Sequence, residues 1–278
     1  MQVPKFASVG DNCVDRFLPP VNMSLDGGNA VNVAVQLAML GCDSAYFGAV
    51  GDDDAGRHLS RLLQDNRVDI GHLVIRNTNT AYTDIRTLPD GDRQIVVEDF
   101  GACDGYAPTG PAREALREFS HVHLGWLNDG GALRRQLLEW DVAVSQDISV
   151  NANPEDIAVE GLSIAFASAG SDEALGRKML ADLLSRGVRL AIVTLGSAGS
   201  LASDGSRTFK ADIAPAKALD TTGAGDSFIA GFIAAYVSGN PIETCMRQGA
   251  ERAARTCEHL GGFPQTPRQT LDIKKKGD

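Results

Sequence analysis

The run from Phe228 to Val237 limits the choice of fold most sharply. Phe228, Phe232 and Tyr236 recur every fourth residue, and Ile229, Ile233 and Val237 fill the adjoining stripe. Two apolar stripes side by side predict a helix buried on most of its surface. Gly239 and Pro241 mark its end. Directly before it stands Asp220-Thr221-Thr222-Gly223-Ala224-Gly225-Asp226. A glycine-rich turn therefore opens a buried helix, where free N–H groups and partial positive charge gather. Gly223 and Gly225, on either side of Ala224, carry no Cβ, so a phosphate can approach the backbone closely. Asp226 sits at the same end, where the dipole favours its ionised form. A carboxylate beside an anion pocket suits removal of a proton from an alcohol that attacks a phosphoryl group. The same residues also read as a plain glycine-rich loop with Asp226 as an N-cap.

A buried helix needs a core around it, and 43% apolar residues in a 278-residue chain can supply one. That length fits one large α/β domain or two small ones. A net charge of −10 argues against nucleic acid as a partner. Lys274-Lys275-Lys276 reads as a solvated tail. Cys13, Cys42, Cys103, Cys245 and Cys257 are scattered, with no C-x-x-C pair, which fits a reducing cytoplasm better than disulfides or zinc. No leader-length apolar segment opens the chain, and no run nears the roughly 20 residues needed to span a bilayer.

Strands are expected at 5–9, 44–50, 122–126, 141–147, 163–167 and 190–195, alternating with helices at about 30–40, 54–66, 173–186, 228–237 and 242–260. Such alternation implies a parallel sheet covered on both faces. Polar residues past the first strand, Gly10 to Asp15, lie where open α/β sheets bind ligands. Asn29 and Asn32 share one face of their helix's first turn. Asn29 reads equally as a cap, whereas Asn32, a poor helix former, points to a side-chain task. Asp52-Asp53-Asp54 reads as a dipole-favoured helix start or as a metal cluster. Between 74 and 104 the pattern changes to hairpins around Pro89-Asp90-Gly91-Asp92, a small β-lid over the site or a plain surface excursion. Lid residues Tyr82, Arg93 and Glu98 are candidates for touching substrate. His121 and His123 read as facing opposite sides of their strand, which would rule out a shared metal.

Three segments together resemble the ribokinase-like (PfkB-type) carbohydrate kinases. Asp220 to Asp226 is similar to their C-terminal signature, Gly27-Gly28-Asn29-Ala30-Val31-Asn32-Val33-Ala34 to their N-terminal one, and Thr194-Leu195-Gly196-Ser197-Ala198-Gly199 to their nucleotide loop. The resemblance implies a three-layer αβα sandwich with a mainly parallel central sheet and a small β-strand lid. It implies one domain over 1–278, with lid strands from about 12–22 and 74–104. It implies transfer of the γ-phosphate of Mg-ATP to a sugar hydroxyl, with a monovalent cation such as K⁺ as a possible helper. Asp226 then resembles the base, and the N–H groups of Gly223, Ala224, Gly225 and Asp226 the anion hole. Asp15, Gly28, Asn29 and Asn32 match the sugar side, to which the lid adds Arg93; Thr194, Gly196 and Gly199, with the anion-hole glycines, match the ATP side. Residues 249–262 are expected to border the adenine. Gly10 to Asp15, Gly51 to Asp54 and Phe166 to Ala169 look most like members that phosphorylate fructosamines, the adducts of sugar with lysine. One departure stands out. Ser168 and Ser171 replace an Asn-x-x-Glu pair that helps position magnesium in the family, with Asp172 or Glu173 as candidate substitutes. No metal ligand is assigned on the chain. A homodimer through the lid is also expected.

Three other readings stay open: a family kinase acting on fructose, ribose or a nucleoside, a dinucleotide-dependent oxidoreductase, and a non-catalytic sugar sensor. The lack of G-x-G-x-x-G after the first strand counts against the second.

Overall fold

The computed structural model describes residues 4–88 and 93–270. The chain runs through β1 (Lys5–Val9), β2 (Cys13–Phe17), β3 (Met23–Gly27), α1 (Asn29–Met39), β4 (Asp43–Phe47), β5 (Ala49–Gly51) and α2 (Asp54–Asp65). It continues through β6 (Val74–Arg76), β7 (Tyr82–Thr87), β8 (Arg93–Asp99), α3 (Gly110–Ala115), β9 (His121–Leu124), α4 (Ala132–Glu139) and β10 (Val144–Asp147). The last third holds β11 (Ile164–Ser168), α5 (Glu173–Ser185), β12 (Leu190–Thr194), β13 (Ser200–Ser203), β14 (Thr208–Ala211), α6 (Ala224–Val237) and α7 (Ile242–Thr256).

An eight-stranded sheet forms the middle layer, in the order β14-β13-β12-β11-β10-β9-β1-β4. The strands from β12 to β4 are parallel, and β13 and β14 fold back antiparallel. Leu133 and Leu137 of α4 and Leu180 and Leu183 of α5 cover one face. Val33 and Leu37 of α1, Phe228 to Ile233 of α6, and Cys245 and Met246 of α7 cover the other. Phe232 packs edge-on to Phe166 of β11, with ring centroids 5.7 Å apart, so α6 is seated on the centre of the sheet as its double stripe requires. The result is the expected three-layer αβα sandwich.

The strand order reverses at β1. The chain leaves it for β4 on one side, and a later strand, β9, returns on the other. A crevice opens past the carboxyl ends of the strands at such a switch. Asp11 follows β1 and Trp126 follows β9, and the Trp126 N–H donates to Asp11 Oδ1 at 3.2 Å.

A separate four-stranded sheet has the order β3-β2-β7-β8. Its β7–β8 pair is the anticipated hairpin, but β2 lies parallel to β7, and β3 completes an edge where a loop is the sequence expectation. Its small core is Phe17, Leu25 and Ile85. The edge strand β3 is held from far along the chain. Ser24 and Arg268 exchange backbone bonds at 2.7 and 3.0 Å. The Arg268 guanidinium grips both oxygens of buried Asp26 at 2.9 and 3.0 Å, and the Gln265 side chain bonds the Asp26 backbone at 2.7 Å in each direction.

The expected strand over 44–50 is interrupted at Gly48, where the Tyr46 hydroxyl occupies the place of a Cβ and bonds Gly10 O at 2.9 Å. The remainder, β5, pairs with β6 instead. The helix at 30–40 starts at Asn29, with Gly28 as its N-cap. The Asp53 carboxylate caps α2, while Asp52 and Asp54 pair with Arg57, so the three aspartates are each engaged in holding the helix start. The Pro89–Asp92 turn, the side chain of Arg93 and the tail at 274–276 lie outside the described residues.

Candidate active site

Gly223 makes the first turn of α6 possible. It has φ +74°, and a Cβ on it would come within 2.3 Å of Gly262 Cα. Only glycine fits both demands. From that N-cap the helix begins: the Ala224 N–H donates back to Thr221 O at 3.2 Å, and the N–H groups of Gly225 and Asp226 are left at the open end of the first turn. A Cβ on Gly225 would meet no protein atom within 4 Å, so this side of the turn is open.

Asp226 is held by both asparagines of α1. Asn29 Nδ2 donates to Oδ1 at 2.7 Å, and Asn32 Nδ2 to Oδ2 at 2.7 Å. Asn29 is thus no cap: it is the first helical residue and uses its side chain across the crevice. The same amide also reaches Asp147 Oδ2 at 3.0 Å. Asp147 ends β10, and its other oxygen takes the Ser149 N–H and hydroxyl at 2.9 and 2.6 Å. Asp11 caps α1 from outside by accepting the N–H groups of Asn29 and Ala30 at 2.9 and 3.2 Å. Gly28, at φ +104°, lets the chain pass Asn12 so closely that a Cβ would stand 2.6 Å from the Asn12 Cα.

Three carboxylates therefore gather around one residue, two on the Asn29 side-chain amide and the third on its backbone N–H. Burial raises Asp11 and Asp147 above the ordinary 3.8. Asp226 is pushed up to about 7, chiefly by burial and further by the charges of Asp147 and Asp11, against the opposing amide bonds of Asn32 and Asn29. The helix dipole alone favours the ionised form, and here burial and like charge outweigh it.

A buried polar chain leads away from this cluster. Asn29 Oδ1 lies 3.4 Å from His123 Nε2, His123 Nδ1 lies 2.9 Å from Ser145 Oγ, and His121 Nε2 lies 2.8 Å from the same oxygen. The two histidines share a strand face, as residues two apart must, contrary to the reading that set them on opposite sides. Burial lowers them to about 4 and about 3, so both are neutral.

A cleft of about 480 Å³ opens between the two sheets, lined by Asp11, Tyr82, Glu98, Asp99 and the rings of Phe100 and Trp126 among others. Phe100 and Trp126 stack with centroids 4.1 Å apart. Asp11 and Ser149 belong both to this lining and to the Asp226 cluster. Asp15 lies on β2, where its carboxylate takes the Cys13 thiol at 3.7 Å. Thr194 ends β12, and Gly196 and Gly199 bound the short turn after it. That strand is two places from β10, on the order of 10 Å from Asp147.

The substitutes suggested for the missing Asn-x-x-Glu pair are committed elsewhere. The Asp172 carboxylate caps α5 through the Leu175 N–H at 2.9 Å. Glu173 pairs with Lys210 and Arg177, each at 2.7 Å. Among the described residues no three histidine, cysteine or acidic side chains converge on a metal position. Sequence reasoning missed Asp147 and Trp126 as site residues and reached Asp11 only as part of the polar run past the first strand; a place at strand ends is what marks all three.

Fold and site define an α/β enzyme built to place a carboxylate and bare amides at a helix mouth. The fold matches that of a ribokinase from Arabidopsis thaliana solved with ribose and ATP, at a TM-score of 0.84 and 23% identity over 99% of this chain and 100% of that one. The chain belongs to the pfkB family of carbohydrate kinases, which matches residues 25–130 and 158–268. It is an ATP-dependent carbohydrate kinase. It is 36% identical to fructoselysine 6-kinase of Shigella flexneri over 92% of this chain and 98% of that one. It is 31% identical to fructosamine kinase FrlD of Bacillus subtilis (strain 168), with 93% of each chain covered.

The raised carboxyl has a measurable cost. Up to about pH 7 the folded chain keeps a proton on Asp226 that the unfolded chain releases near 3.8. Its support for the fold is complete below the lower value and lost as pH rises through the upper one. Asp226→Asn should therefore resist denaturant better than the native chain at about pH 8, with the gap narrowing toward about pH 4. Urea titrations at both ends would reject this cause if the gap were the same at each.

Proposed function

We propose that the enzyme phosphorylates the 6-hydroxyl of a fructosamine, with fructoselysine as acceptor and fructoselysine 6-phosphate as product. The observation that carries the kinase mechanism is the double clamp of Asn29 and Asn32 on Asp226, at an open helix mouth beside the cleft. The acceptor hydroxyl gives its proton to the Asp226 carboxylate as its oxygen attacks the γ-phosphorus. The bond to the bridging oxygen breaks, and ADP leaves. The N–H groups of Gly223, Gly225 and Asp226 meet the charge of the transferring phosphoryl group, and that of Ala224 joins them by giving up its bond to Thr221 O. Asn29 and Asn32 hold the base in place. Thr194, Gly196 and Gly199 contact the nucleotide, and Asp15, Gly28 and Arg93 border the sugar.

The lining of the cleft supports the choice of acceptor. A fructosamine carries a protonated secondary amine, and Asp11, Glu98 and Asp99 give the cleft an acidic wall beside two stacked rings. A neutral hexose has no use for that wall. Magnesium would arrive with ATP and neutralise phosphate charge; among the described residues no three histidine, cysteine or acidic side chains form a ring to hold it. A potassium requirement, expected by resemblance, is read by repeating the assay in choline salts. All five cysteines are free, which fits a place in the cytoplasm. Among the described residues no helix is long and apolar enough to cross a membrane.

Asp226→Asn should lower turnover by roughly 10²–10⁴ with nucleotide affinity nearly kept. The wild-type rate should climb as pH rises through about 7, and the variant should lack that limb. Turnover at the wild-type level would remove Asp226 from the mechanism. ADP release measured with fructoselysine, fructose, ribose and adenosine should rank fructoselysine first, and ¹³C and ³¹P spectra should locate the phosphate on O6. A clear preference for any of the others moves the enzyme to that branch of the family.

Ile95, Val96 and Val97 on the edge strand β8 are 62%, 41% and 41% exposed. An open apolar edge suits pairing with a second copy, so the enzyme is a homodimer through this sheet. Light scattering should give twice the chain mass, and Val96→Lys should halve it. A monomeric wild type at micromolar concentration rejects the dimer.

A further inference from the structure

A second cavity, of about 350 Å³, lies along α6 between α7 and the C-terminal end of α1. Its α6 wall begins at Gly231, more than a turn beyond Asp226, so it is separate from the cleft. Arg247, Arg252 and Arg255 of α7 line it. In a chain of net charge −10 this is a local concentration of the opposite sign. Glu251 neutralises Arg247 at 2.7 Å. No carboxylate among the described residues pairs with Arg252 or Arg255.

Arg252 is the unusual member. It is only 8% exposed, yet it lines the cavity. Its Nε donates to Gln36 Oε1, which fixes the plane of the guanidinium. Its two terminal nitrogens have no acceptor among the described residues. A buried, oriented fork without a carboxylate is the arrangement that binds phosphate bidentately. Burial and the nearby Arg255 both depress Arg252, so an anion placed between the two would relieve a standing repulsion.

We propose that this cavity is a binding site for a small phosphate-bearing anion, read by Arg252 and Arg255. The site is wired to the catalytic turn. Gln36 Nε2 bonds the Gly262 carbonyl and, at 3.1 Å, Thr256 Oγ1. Thr256 Oγ1 lies 2.7 Å from Ser227 Oγ, and that hydroxyl bonds Gly223 O at 2.8 Å. Both Gly223 and Gly262 belong to the contact that shapes the helix mouth. An anion on Arg252 thus acts, through one glutamine, on the backbone that faces the transferring phosphate.

The test is calorimetric titration of the intact chain with inorganic phosphate, and separately with glycerol 3-phosphate, in the presence of saturating ADP. ADP binding is measured first, so a failure of nucleotide binding is seen as such and bears on the kinase assignment alone. One equivalent of anion should bind with ADP in place. Arg255→Gln, at an exposed position, should weaken it roughly tenfold or more, and Arg252→Lys should weaken it as well. Arg117→Gln, on another face, should change nothing. Whichever of the two ligands binds more tightly tells whether free phosphate or a phosphoester is the natural occupant. Absence of binding by either, loss of all binding when ADP is added, or an unchanged affinity in Arg255→Gln would each overturn the site.

Discussion

The amide of Asn29 lies between the carboxylates of Asp226 and Asp147, and the backbone of the same residue lies on Asp11. Those three acids come from three different places: the end of β1, the end of β10 and the start of α6. Left alone they would repel one another in a half-buried crevice, and one residue, through its side-chain amide and its backbone N–H, bonds all three. The middle sheet places the first two, and the seating of Phe232 against Phe166 places the third. The architecture outside the crevice is largely a means of keeping these oxygens around Asn29.

The acidity of the crevice is then a collective property. Asp226 titrates near 7 because it is buried beside two other acids, although it stands at the positive end of a helix. In the proposed mechanism, a base poised near neutrality binds the proton of the incoming alcohol more strongly than one with an ordinary carboxylate value. The neutral histidines behind Asn29 extend the polar chain without adding charge. Function here draws on strain in the electrostatics, and the fold bears it because the surrounding core is dense on both faces of the sheet.

What could be read in the sequence was whatever depends on short spacing. The double stripe of α6, the glycines before it, and Asn29 and Asn32 three apart all carry a local geometric meaning. Both asparagines do reach one carboxylate, as a shared helix face implies. What could not be read depends on partners far along the chain. Nothing near Met23–Gly27 says that its edge is closed by Arg268, and nothing near Asp147 says that it will meet Asn29. Gly48, where a strand is interrupted, leaves room for a tyrosine hydroxyl two residues back, a demand visible only with side chains in place. Asp172 and Glu173 looked available as metal groups, and a helix cap and two ion pairs had already claimed them. The histidine pair was misjudged for a plainer reason: strand residues two apart point the same way.

The grip of Arg268 on Asp26 makes the upper sheet less free than a flap hinged only at its own loops. Its β3 border is sewn to a segment that follows α7, and α7 packs on the helix whose first turn bears Asp226. Any displacement of that border must therefore also displace the segment around Arg268, so the small sheet and the stretch after α7 behave as one mechanical unit.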